Sequence, residues 1–161
     1  MTNASDRGTL SDPGHVQAPF VLQIRRDGYV LSIGGRMVAR LEGGAGVLLG
    51  TAGALLREID LEAAIERTED WIMPASRSFH RMPLQLEDER GLLRHRFGAA
   101  AILTPQAVED VFSQVVNDVA ARRPADPEFV ADLILLRELV HHGAVPQVST
   151  GDESGPGGLR C

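Results

Sequence analysis

Val108, Val111, Phe112, Val115 and Val119 recur at the three- and four-residue spacing that puts side chains on one face of a helix. Thr104 precedes this run as an N-cap, and Pro105 occupies the first turn, where a missing N–H costs nothing. The pattern predicts a helix over 105–121 with one continuous apolar stripe that must be buried against something. The same start signal returns at Asp126-Pro127, ahead of Phe129, Leu133, Leu136 and Val140 on one face, and Gly143 with Pro146 marks the stop. The short link around Arg122–Ala125 predicts that the two helices form an antiparallel hairpin.

Strand signals lie at the other end of the chain. Phe20-Val-Leu-Gln-Ile24 and Tyr29 to Ile33 flank Arg25-Arg26-Asp27-Gly28, whose Asp-Gly suits a tight hairpin turn. Gly34-Gly35 and then Met37 to Leu41 extend this into a three-stranded antiparallel meander. Leu84 to Leu86 and Leu92 to Phe97 flank a polar, glycine-ending segment and predict a second hairpin. Between the sheet segments, Leu61, Ile65, Thr68 and Ile72 share a helical face, with Asp60 as the expected N-cap and Pro74 as the stop. The apolar segment from Ala45 to Glu58 is weakened as a helix by Gly50 and Gly53, and its type stays open.

The expected fold is therefore α+β. An antiparallel meander and a second hairpin pack against about three to four helices, and the chain ends in the helical hairpin. Residues 18–145 form the single domain. Residues 1–17 and 146–161 carry no apolar period and read as disordered tails. A chain of 161 residues, 43% hydrophobic and 24% charged, is enough for one buried core.

Composition excludes several chemistries. All 16 basic residues are arginine, which removes lysine Schiff bases, pyridoxal phosphate and the lysine of P-loop and kinase sites. A GC-rich coding sequence of bacterial type explains the bias. The formal charge of −6 disfavours nucleic acid as a partner. The sole cysteine, Cys161, permits no internal disulfide, and no apolar run is long enough to span a bilayer, so a cytoplasmic location with no membrane partner is expected. The glycines from Gly44 to Gly50 lack the spacing and βαβ context of a dinucleotide loop, and no cofactor is implied.

Two functional readings follow. In the first, the chain is a non-catalytic interaction module, an accessory protein, adaptor or assembly factor whose partner is another protein or a second copy of itself. Its surface would be the junction after the 60–73 helix, where Trp71, Met73, Arg77, Phe79 and Arg81 combine residue types enriched in interface cores. In the second, it is a small metal-binding protein or metal-dependent enzyme using Glu138, His141 and His142. Glu138 and His141 stand three apart in a helix, as in helical carboxylate–histidine metal sites. The alternative role for both histidines is to complement exposed carbonyls in a helix's last turn. His80 borders a polar loop, and His95 is expected on a strand face beside Leu93 and Phe97.

Overall fold

In the computed structural model, which describes residues 19–50, 53, 55–98 and 102–150, the meander is present as read. Strands β1 (Phe20–Arg25), β2 (Gly28–Ile33) and β3 (Arg36–Glu42) pair antiparallel in order. The Asp27-Gly28 turn holds because Gly28 lies against the backbone of β3. A Cβ there would sit 2.2 Å from the Leu41 carbonyl oxygen.

The helices then depart from the expectation at both ends. Helix α1 is confined to Gly44–Leu49. Helix α2 spans Glu58–Ile72, so its N-cap is Arg57 and not Asp60. Asp60 is instead the N3 partner of a capping box, accepting from the Arg57 backbone N–H at 2.8 Å. A 3-10 turn over Met73–Ser78 follows.

The second hairpin does not form. Leu84–Asp88 is strand β4, but it pairs parallel with β1, and Leu92–Phe97 is helix α3. Asp88 explains the switch. Its carboxylate accepts from the backbone N–H groups of Gly91, Leu93 and Arg94, which turns the chain into a helical start where a hairpin would have needed strand. His95 is accordingly exposed on α3 and not on a strand.

Strand β5 (Ile102–Leu103) leads into α4 (Pro105–Ala120), capped by Thr104 as its sequence requires, and α5 (Pro127–His142) is capped by Asp126. The two helices pack together, but the chain does not end on them. Val148–Thr150 forms strand β6 inside the sheet, parallel to β4 and antiparallel to β5, with Val148 fully buried. Paired strand thus continues past residue 145, where the domain was expected to stop. Residues 1–17 and 151–161, expected to be tails, lie outside the described residues.

The described residues form an α+β arrangement: one mixed six-stranded sheet, ordered β3-β2-β1-β4-β6-β5, with five α-helices. Phe20, Leu22, Ile24, Leu84 and Leu86 point to the helix layer and are almost completely buried. Helix α5 contacts α1, α2, α3 and α4 and is buried on most of its circumference. That central position explains its nearly uninterrupted apolar run from Val130 to Leu136, broken only by Asp132. No helix among the described residues is long and apolar enough to cross a membrane.

Candidate functional site

Helix α2 runs against α5, and its buried stripe of Leu61, Ala64, Thr68 and Ile72 leaves Glu69 on the flank that faces the end of α5. There the imidazole Nε2 of His142 stands 3.2 Å from Glu69 Oε1 and 3.4 Å from Glu138 Oε2. Glu138 and His142 are four apart, one helical turn, so they project from the same face. All three donor atoms lie within 4.8 Å of one another. The cluster is graded from inside to outside: the Glu138 side chain is 2% exposed, that of His142 24% and that of Glu69 43%.

A buried carboxylate needs compensation. Arg137 provides it, donating from Nη1 to Glu138 Oε1 at 2.5 Å. Arg137 is itself held by Glu109 on α4, at 3.0 Å from Nε, and its guanidinium lies over the Phe112 ring at 4.5 Å. Glu138 thus has one oxygen bound by arginine and one turned to His142.

Local packing fixes the end of α5. Gly143 caps the helix and presses against Phe79: a Cβ on Gly143 would come within 2.8 Å of that ring. Arg81, in the left-handed region at φ 60, donates its backbone N–H to the Gly143 carbonyl. Phe79 stacks on Phe20 with ring centroids 4.5 Å apart.

These contacts sort the residues singled out from sequence. Glu138 and His142 converge, whereas His141 is exposed and meets only the edge of the His142 ring among the described contacts. Glu69 on α2 is the third donor. Phe79 belongs to the core with no exposed surface, and Trp71 packs against the core and donates its indole N–H to the Arg40 carbonyl of β3 at 3.2 Å. Met73, Arg77 and Arg81 are exposed.

A second polar cluster lies towards the other end of α5. Tyr29 on β2 donates its hydroxyl to Asp132 Oδ1 at 2.8 Å, and Arg90 pairs with the same oxygen. Arg90 also reaches Glu128 at 3.6 Å. Burial pushes the Asp132 carboxyl up to about 7, against the opposing pull of Arg90 and Tyr29. The Tyr29 hydroxyl is likewise raised, by burial first and by Asp132 second. The Asp132 side chain is fully enclosed, which makes this a cross-link of β2, the turn after β4 and α5.

Two open concavities lie among the described residues. On the sheet face away from the core, a hollow of about 490 Å³ is lined only by strand and turn residues, among them Val21, Gln23, Arg25, Val30 and Glu87. Its polar groups already satisfy one another: Gln23 donates to Glu87 at 2.6 Å and Arg25 to Gln23 at 2.8 Å. A second hollow, of about 440 Å³, lies between Leu55, Ile59 and Val119.

No family model and no curated protein sequence matches the chain. Solved structures do. Crystal structures of the Aquifex aeolicus Ppx/GppA phosphatase are similar to it: the type II variant with a TM-score of 0.58 at 12% identity, over 83% of this chain and 53% of that one. A further structure described as the Aquifex aeolicus PPX-GPPA enzyme gives 0.58 at 12%, over 84% and 53%. A third structure of the Aquifex aeolicus family member gives 0.54 at 11%, over 83% and 52%. The chain spans about half the length of these proteins, and the likeness is one of fold. This finding corrects the reading as a non-catalytic accessory, adaptor or assembly factor: the solved structures that share the architecture are described as a phosphatase and an enzyme.

Proposed function

We propose that this chain is a metal-dependent phosphate hydrolase, with Glu69, Glu138 and His142 as the ligands of a divalent cation. The observation that carries the proposal is the convergence of the three donor atoms within 4.8 Å, at the meeting of two helices. The likeness in fold to a phosphatase supports the choice of reaction. One imidazole nitrogen and two carboxylate oxygens form a donor set suited to zinc, manganese, iron or cobalt. Three protein donors leave coordination positions for solvent or a phosphate oxygen. A bound cation would polarise a phosphoryl oxygen and lower the pKa of a bound water.

The chain's own residues have defined tasks. His142 would offer the cation the lone pair of Nε2, which requires that this nitrogen carry no proton. Glu138 supplies buried negative charge from a fixed position, and Glu69, the most exposed of the three, forms the accessible side.

The test uses the chelator-treated 161-residue chain titrated calorimetrically with zinc, manganese and magnesium. Hydrolysis of p-nitrophenyl phosphate and inorganic polyphosphate is then followed with and without each ion. The expected result is one cation per chain and phosphate release that depends on it, both lost in Glu138→Gln and His142→Ala. Wild-type protein that binds no cation, or hydrolysis unchanged in both variants, rejects the proposal.

A further inference from the structure

Resting on that reading, we propose that Arg137 is a positioning residue that makes the site selective for a four-coordinate, zinc-class cation over magnesium and calcium. Two observations carry the inference. The first is metric. Ligand bonds of about 2.0–2.1 Å in a tetrahedron put neighbouring donors roughly 3.3–3.4 Å apart. The two donor separations at His142 Nε2 are 3.2 and 3.4 Å, and all three donor atoms lie within 4.8 Å of one another. An octahedron with bonds of about 2.0–2.1 Å, as magnesium requires, needs neighbouring donors at roughly 2.8–3.0 Å.

The second is the state of Glu138. Calcium sites commonly use a bidentate carboxylate among six to eight oxygens. Oε1 of Glu138 is held by the Arg137 guanidinium at 2.5 Å, which leaves Oε2 as a single donor. Arg137 cannot readily release it, because Glu109 holds Nε and Phe112 backs the guanidinium plane. This is the outer-shell arrangement that orients a metal ligand.

Charge and orientation make opposite predictions, so the role can be separated from electrostatics. Three carboxylates, Glu69, Glu109 and Glu138, against one guanidinium leave two negative charges, matched to a divalent ion. Removing the arginine's positive charge would by Coulomb attraction alone tighten every cation. Loss of orientation instead weakens zinc and frees Glu138 to chelate through both oxygens.

The experiment compares wild type, Arg137→Met, Arg137→Lys and Glu109→Gln by competitive titration with zinc, magnesium and calcium. The visible absorption of the cobalt-loaded protein reports coordination number directly. In wild type we expect one zinc that survives a thousandfold excess of magnesium or calcium, and the intense cobalt bands of four-coordination. Arg137→Met should weaken zinc at least tenfold, narrow its preference over calcium and weaken the cobalt bands. Arg137→Lys should recover part of each. Glu109→Gln should shift all three readouts in the same direction and decides the matter if Arg137→Met does not fold. Zinc affinity and cobalt spectra unchanged in the folded variants, tighter zinc in Arg137→Met, or a wild-type preference for magnesium or calcium overturns the selectivity while leaving the site itself standing. A wild-type chain that binds none of these ions fails the functional reading beneath it.

Discussion

The Tyr29 hydroxyl donates to Asp132 across 103 residues of sequence, joining the second strand of the sheet to the helix at the centre of the opposite layer. Asp132 is enclosed on all sides, and its Oδ2, like Nε of Arg90, has no hydrogen-bond partner among the described residues. Enclosure penalises the carboxylate, and its carboxyl titrates near 7 in the folded protein, against about 3.9 in an unfolded chain. The folded state therefore holds a proton that the unfolded state releases over that interval. Stability contributed by this group is fully present below pH 4 and is lost as pH rises from there through 7. Melting temperatures measured from pH 4.5 to 8 should fall more steeply with pH for wild type than for Asp132→Asn, whose amide does not titrate. Parallel curves for the two proteins would exclude Asp132 as the source of the slope.

Removing the hydroxyl alone tests the same cluster without touching its charges. Tyr29→Phe keeps the ring, which is buried in the core, and leaves Asp132 Oδ1 with Arg90 only. A buried acceptor deprived of a donor costs about 1–3 kcal/mol. Urea unfolding should show that loss with an unchanged slope against denaturant.

The Gly143 position predicts a packing defect. Its missing Cβ is replaced in space by the Phe79 ring and the Leu139 carbonyl, at 2.8 and 2.7 Å from where that carbon would stand. Neither neighbour can withdraw cheaply, since Phe79 is stacked on Phe20 and the carbonyl belongs to the last turn of α5. Gly143→Ala should destabilise the fold by about 1–3 kcal/mol, as overpacking does. Because His142 is the adjacent residue, the same variant should also weaken cation binding, which titration of the folded protein measures.

How far these relationships were legible in sequence depends on their range. The caps Thr104 and Asp126, the helical stripes of α4 and α5 and the meander around Asp27-Gly28 are local, and each stands in the structure as the residues require. The fate of Leu92–Phe97 was also local but turned on a single side chain: alternation suggested a strand, whereas the Asp88 carboxylate captures backbone N–H groups three, five and six residues on and starts a helix there. Strand β6 is three residues long and exists because β4 and β5 flank it, which no window around Val148 reveals. Glu138, His141 and His142 were visible as a candidate set, but the pair read from spacing was Glu138 with His141, whereas His142 is the histidine that meets Glu138. Glu69 was not visible, since its place beside them depends on how α2 crosses α5. Asp132 did carry a signal, a lone acid in the apolar run from Val130 to Leu136, and a buried acid implies a partner.

Trp71 illustrates the ambiguity of an aromatic residue at a helix end. Its indole covers part of the outermost strand by bonding the Arg40 carbonyl, a means of blunting an exposed sheet edge. Trp71→Phe should retain most of the packing and lose this cover. The expected outcome is a native fold with faster amide exchange in β3 and greater concentration-dependent association by light scattering. Exchange in β3 equal to wild type would show that the indole bond contributes nothing to the edge.

Metal binding should also appear as stability. The three donors join the C-terminal part of α2 to the last turn of α5, so a cation bound only by the folded chain stabilises it through linkage. At a free cation concentration a hundredfold above the dissociation constant the gain is about 2.7 kcal/mol, a rise of several degrees for a domain of this size. Zinc added to chelator-treated protein should therefore raise the melting temperature, and the chelator should reverse it. His142→Ala and Glu69→Gln should remove most of the rise, whereas His141→Ala, whose ring lies outside the donor set, should keep it. If His141→Ala abolishes the rise and Glu69→Gln does not, the cation is held by a different combination of residues at the end of α5.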